Sequence, residues 1–354
     1  MTHRKSRRFG ISILGLAILT ALAAAQTSLT PKDILAKNMD ASGGKEKLTR
    51  FRSFSFKSGT TRYFVTPAGE LKLTTGKEPV ITEAILVKDG QVRRNYFGEP
   101  SELAGVRKAT NQVLADLYGG LFTLIRFQGR LEYKGVKAYG PAKLHQFSTK
   151  ADPLLVDFFL GQDDFRLKRL VFQGQTPEGD KYEVNYDFAP FEETEGLTIP
   201  LSWFNSQVGT RGTLTEITEA KLDQPLDKDF FATLEVNVGT VEAKPGRLKG
   251  NVLDAAASPN GFTAATNWMK KHIDAAGLKT GDRLSLIVED TEFDLVFYAA
   301  AGEIPPQAEL AKGARILAPQ GRGGDLFALQ FFGADTTALA AKLKVLAPIE
   351  ITKK

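Results

Sequence analysis

From Asp180 the chain alternates. Tyr182, Val184, Tyr186 and Phe188 take every second place and Glu183, Asn185 and Asp187 the places between, the period-2 pattern that turns apolar groups to one face of a half-buried strand. After a loop of Pro190, Glu192, Glu193, Thr194, Glu195 and Gly196, a second alternation runs through Leu197, Ile199, Leu201 and Trp203, and the two strands are expected to pair across that loop. The same pattern predicts strands at 62–65, 70–74, 81–88 and 91–97, with Asp89-Gly90 as a two-residue hairpin turn. It resumes at 130–134, 143–149, 153–160, 166–172 and 212–222. Between these groups the period changes: Leu103, Val106, Val113, Leu114, Leu117, Leu121, Leu124 and Ile125 fall on helical spacings, broken at Gly119-Gly120. So apolar a helix must lie against the sheet. An earlier helix starts at Thr30, an N-cap with Pro31 first inside and Asp33 following, and ends before Gly43.

Beyond Leu234 the texture differs. Val236 to Val241 reads as a strand, Lys244-Pro245-Gly246 as a turn and 251–256 as a short extended piece. Phe262, Ala265, Met269, His272, Ile273 and Ala276 share one face of a predicted helix at 261–276, stopped by Gly277. Strands at 283–289, 293–299, 314–319 and 326–332 lead to a final helix at 335–346. That order predicts an α+β sandwich with helices on one face. The chain therefore divides into a region at 29–234, expected to fold alone, and a smaller one at 235–354.

Composition removes whole classes of chemistry. Cysteine is absent, which excludes disulfides, zinc thiolates, cysteine nucleophiles and lipid attachment through cysteine. Residues 1–25 carry Arg4, Lys5, Arg7 and Arg8, an apolar run from Phe9, and Ala23, Ala24 and Ala25, the three regions of a secretory signal expected to be cleaved after Ala25. The alternative is a single-pass anchor. The formal net charge of +5 includes those four basic residues, and +1 remains without them. The basic balance thus belongs to the targeting segment and argues no nucleic-acid partner.

Candidate chemistry is sparse. Histidine occurs at 3, 145 and 272, too few for a histidine metal site, and His145 in a strand and His272 on a helix face read as structural residues. The carboxylates at 163–164, 192–195 and 289–290 fall in predicted turns, as solvated loop groups do. Gly43-Gly44-Lys45 lacks phosphate-loop spacing, with Met39 where the first glycine belongs and Glu46 in place of Ser or Thr. Gly321-Arg322-Gly323-Gly324 is a hairpin loop or an anion nest. No catalytic, metal or cofactor site emerges. Sheet aromatics remain: Phe54, Phe158, Tyr182, Tyr186 and Trp203, with Leu197, Ile199 and Leu201, are the candidate wall of a hydrophobic cavity, or else core filling.

Two resemblances add to this. Ile34-Leu35-Ala36-Lys37, Ala41 to Leu48, Phe54 and Gly59, then Tyr186-Asp187, Glu195-Gly196-Leu197, Pro200 and Pro225-Leu226-Asp227 with Phe230 resemble LolA-like periplasmic proteins, relatives of lipoprotein-sorting carriers. The resemblance covers about 30–234. It implies an incomplete barrel of antiparallel strands with helices plugging the concave side and a cavity that shields acyl chains. Ala275-Ala276-Gly277-Leu278, Phe293-Asp294-Leu295 and Phe332-Gly333 resemble gyrase-inhibitor-like effector-binding domains. The expectation is a periplasmic, non-enzymatic carrier of a lipid or lipoprotein acyl chain, without permanent membrane insertion. An envelope interaction module, with a protein partner in place of a small ligand, is the alternative, and a hydrolase the second.

Overall fold

A computed structural model describes residues 29–354, apart from 177, 240, 259–260, 269, 307–308, 310–314 and 323–325. The expected signal at 1–25 lies outside the described residues, as do Gly323 and Gly324. Helices α1 (Pro31–Asp40) and α2 (Lys45–Arg50) lead into six strands, β1 (Phe54–Ser58), β2 (Thr61–Val65), β3 (Leu71–Thr75), β4 (Glu83–Lys88), β5 (Gln91–Tyr96) and β6 (Glu99–Glu102). Helix α3 (Gly105–Gly119) then crosses to β7 (Glu132–Tyr139), β8 (Ala142–Ala151), β9 (Leu154–Gly161), β10 (Leu167–Gln175) and β11 (Lys181–Phe188). A separate hairpin of β12 (Phe191–Thr194) and β13 (Leu197–Pro200) precedes β14 (Ser202–Gln207) and β15 (Thr213–Leu222).

Pairing of β15 with β1, Leu222 opposite Phe54, joins both meanders into one antiparallel sheet of thirteen strands whose edges are β6 and β7. Helix α3 connects those two edges, so its path must cross the face of the sheet. It touches β2, β4 and β5 from one meander and β8, β9 and β10 from the other. Strands so far apart in sheet order meet one helix only if the sheet is strongly curled around it. The buried cluster follows: Val65, Leu73 and Val87 from the first meander, Phe158, Leu170 and Phe172 from the second, and Val113, Leu117 and Tyr118 between them.

The expected pairing of the two alternating strands holds in part. Phe188 lies opposite Trp203, with β11 beside β14. The run from Leu197 to Trp203 is split, however, because Leu197 and Ile199 belong to the side hairpin, and Leu201 is the joint before β14. The acidic stretch read as a loop is strand β12, turned back by Glu195 and Gly196, both at positive φ.

The second sheet corrects the expected architecture most. After β16 (Glu242–Lys244) come β17 (Arg247–Ser258), β18 (Gly261–Thr266), helix α4 (Lys270–Ala275), β19 (Arg283–Val288), β20 (Thr291–Phe297), β21 (Ile316–Arg322), β22 (Leu326–Phe332), helix α5 (Thr336–Lys342) and β23 (Ala347–Lys353). Strand β23 pairs with β19 on one side and β17 on the other, Ile349 opposite both Val288 and Gly250. The ring β17-β18-β22-β21-β20-β19-β23 therefore closes into a seven-stranded barrel, antiparallel except between β20 and β21. The fold is thus α+β with few helices. In place of an incomplete barrel and a small sandwich it has a large open antiparallel sheet and a closed barrel. The predicted helix at 261–276 is a strand over its first half: Phe262, Ala264 and Thr266 are buried in alternation, and β18 pairs with both β17 and β22. Alanines at helical spacing mask that alternation in the sequence.

The chain stays fastened to the first sheet well past β15. On the face opposite α3, buried Lys72 donates from Nζ to the Phe230 carbonyl at 3.0 Å, Asn95 Nδ2 donates to the Leu234 carbonyl at 2.8 Å, and Ile81 bridges Asn237. Leu86, Ala84 and Val80 are buried, as is Phe231 of the strap itself.

Candidate functional site

The inner face of the curled sheet gathers three of the eight predicted wall residues into one aromatic group. Phe54 and its alternation partner Phe56 have ring centroids 5.3 Å apart, and Phe56 meets Trp203 edge-on at 6.1 Å. Trp203 also stacks on Tyr118 of α3 at 6.4 Å and meets Phe188 at 6.4 Å, and Tyr186 stacks on Phe188 at the same distance. Phe122, just past α3, closes the group against Phe54, Phe56, Tyr118 and Phe188. Pairs of this kind contribute about 0.5–1.5 kcal/mol beyond the area they bury.

The other five fall elsewhere. Phe158 is fully buried against Phe127 at 4.7 Å. Tyr182 is half-buried, its hydroxyl 3.1 Å from Thr110 Oγ1 on α3. Leu197 is buried against the turn between α1 and α2, where Thr198 N–H donates to the Ser42 carbonyl, and Ile199 is buried in the same cluster. Gly43 stands in that turn because a Cβ there would lie 2.8 Å from the Gly196 carbonyl oxygen, at a φ of 116° that disfavours other residues. Leu201 is half-buried and outside the cluster. The sequence reading missed Phe56, Tyr63, Tyr118 and Phe122. Period 2 from Phe54 would have found Phe56, and i,i+4 spacing joins Tyr118 to Phe122.

In this conformation the group is packed. Loss of water on burial pushes the Tyr63 hydroxyl up to about 12, and it raises Tyr118 and Tyr186 further. All three are neutral at any physiological pH. The segment after α3 acts as a plug. Leu121 and Phe122, both buried, hold φ of 52° and 61°, a left-handed conformation that costs a non-glycine residue on the order of 1–3 kcal/mol. The plug is stapled by Asn38, fully buried on α1, whose Oδ1 accepts from Leu124 N–H at 2.9 Å while its Nδ2 donates to the Phe165 carbonyl at 2.8 Å.

At the open end of the curl lies a polar cleft of about 510 Å³ between the β2–β3 and β4–β5 turns, α3 and the end of β8. Arg126 spans it, donating from Nε to Asp116 Oδ1 at 2.9 Å, from Nη2 to the Ala68 carbonyl at 2.7 Å and from Nη1 to the Pro67 carbonyl. A second cleft of about 460 Å³ adjoins it. His145 sits beneath the β7 edge, buried, with Nδ1 3.0 Å from the Tyr133 hydroxyl and its ring stacked on Phe165; burial lowers its pKa. Among the described residues no group of three or more His, Asp or Glu could hold a metal ion, and no helix is long and apolar enough to cross a membrane.

No protein-family model matches the chain, and no curated protein does. Among solved structures the chain is similar to a LolA superfamily protein from Nitrosomonas europaea at 15% identity and a TM-score of 0.37, over 57% of this chain and 98% of that one. It is similar to the lipoprotein LppX of Mycobacterium tuberculosis at 10% identity and a TM-score of 0.21, over 56% and 99%. MucB, solved in complex with MucA, is similar at 11% identity and a TM-score of 0.17, over 92% and 99%.

Proposed function

We propose that this chain is a non-enzymatic, periplasmic carrier of a hydrophobic ligand, a lipid or a lipoprotein acyl chain. The observation that supports it most is the plug. A curled sheet offers a broad apolar inner face, and what covers it, beside Ile34 of α1 and Leu48 of α2, is α3 and a loop whose Leu121 and Phe122 are held in left-handed conformation. Left-handed residues of this kind occur at switch and ligand-clamp segments, where surrounding contacts hold them in place. Displacing the plug would bare Phe54, Phe56, Trp203 and Phe158, and an acyl chain would replace its contacts with the sheet. The space is made by movement, so a packed interior and a binding role are compatible.

Native mass spectrometry of the protein purified without detergent tests this: a co-purified lipid is expected. A fluorescent fatty-acid analogue should displace it and slow hydrogen exchange over 120–127. Absence of both lipid and uptake would remove the carrier reading. A second reading, an envelope interaction module, is favoured by Phe204, Val208 and Leu214 on the outer face, 40%, 51% and 65% exposed, and that outcome would leave it standing.

A further inference from the structure

Arg130 and Lys150 line both clefts at the open end of the sheet, which makes the two one continuous groove. Most of its charges cancel in pairs: Lys88 with Glu70 at 3.1 Å, Arg126 with Asp116 at 2.9 Å, Lys134 with Glu132 at 2.5 Å. Asp116 is shared with Arg130 at 2.7 Å, and of the lining charges Lys150 and Asp89 are in no such pair, so the groove carries one net positive charge. Arg130 is held in place, since its Nη2 donates to Asp116 Oδ2 at 2.7 Å and to the Arg126 carbonyl at 2.8 Å, and its guanidinium lies 5.2 Å from the Phe127 ring centroid. Its Nε and Nη1 have no partner among the described residues, and neither has Lys150 Nζ. Because Nη2 belongs to both forks of a guanidinium and is taken, Arg130 offers an anion single charge-assisted hydrogen bonds from Nε or Nη1, beside the ammonium of Lys150. The groove also abuts the apolar interior, because Val113 lines it and belongs to the buried cluster, and Ala151 packs against that cluster.

We propose that this groove binds the anionic headgroup of a lipid, carboxylate or phosphate, through Arg130 and Lys150, while the attached chain passes Val113 into the sheet. The proposal rests on the carrier reading and adds a ligand class to it. Oleic acid and oleyl alcohol share a hydrocarbon and differ in the head, so they separate the two ideas. At low ionic strength the full chain is expected to bind oleate roughly tenfold more tightly than the alcohol, the worth of one charge-assisted hydrogen bond. In the double variant Arg130→Gln, Lys150→Gln that preference, read as the ratio of the two affinities on the same protein, disappears. Lys150→Gln alone, which breaks no described side-chain contact, should lose part of it, and salt should erode it in the wild type. Equal binding of acid and alcohol by the wild type, or a preference that survives the double variant, overturns the headgroup site and leaves the carrier reading intact. Binding of inorganic phosphate that the double variant loses, without an oleate preference, assigns the groove to a free anion and also overturns the proposal. Failure of both lipids to bind removes both ideas.

Discussion

Ile199 and Leu201 are two residues apart on one run of alternation, yet Ile199 is buried in the main apolar cluster and Leu201 is half-exposed at the joint between β13 and β14. Ile199→Glu is expected to destabilise the protein by several kcal/mol, about 3–5, since it buries an unpaired charge. Leu201→Glu should stay within about 1 kcal/mol, its carboxylate reaching water; urea titrations of both variants compare them. His145 makes a prediction in pH. Burial holds its folded pKa below the ordinary 6.5, so the unfolded chain binds the extra proton first as pH falls. The stability it contributes is present above 6.5 and is lost as pH drops from there through the folded pKa. The wild type should weaken between pH 7.5 and 5.5 more than His145→Phe, and equal slopes for the two would show that His145 is not the sensor.

At the scale of elements, α3 and its plug hold the inner face, and Asn38 holds the plug. Asn38→Ala leaves the Leu124 N–H and the Phe165 carbonyl without their partner, at a cost of about 2–4 kcal/mol. Hydrogen exchange over 120–127 should quicken in that variant well before exchange in β8–β11 does. Simultaneous loss of protection in both would show that the plug cannot leave without the sheet, which counts against ligand entry by that route. The edge-to-edge path of α3 also explains why its apolar pattern is so wide: it meets strands of both meanders, and Val106, Ala109, Thr110, Val113, Leu117 and Tyr118, spread over about half its circumference, are all buried.

The whole molecule carries two tryptophans, one in each buried cluster: Trp203 in the large sheet and Trp268, fully buried, in the barrel. Trp203→Phe and Trp268→Phe therefore leave a single fluorophore reporting each region. We expect two denaturation midpoints, with the boundary of independent folding after Asn237, where the strap leaves the first sheet. Coincident midpoints in both variants would mean one cooperative unit. Removal of 347–354 takes away the strand that pairs with both β17 and β19. It should abolish the Trp268 transition and leave that of Trp203 in place.

Local pattern alone determined much of this chain. The α1 cap is a capping box of Thr30 and Asp33, the Asp89-Gly90 turn joins β4 to β5 in register, and the alternations at 182–188 and 143–160 lie in strands β8, β9 and β11. Each of these is decided by neighbours within a few residues, through side-chain period or turn geometry. The signal failed where a short strand of small residues meets helical spacing by chance, as in β18. Of the candidate site, Phe54, Tyr186 and Trp203 could be named from alternation, but not their company of Tyr118 and Phe122, which only the crossing of α3 supplies. Closure of the barrel and curling of the sheet are likewise long-range facts. Ile349 pairs with residues about 60 and 100 positions earlier, and no local period encodes such a partner, because an alternating strand fits any sheet edge that offers a matching apolar face.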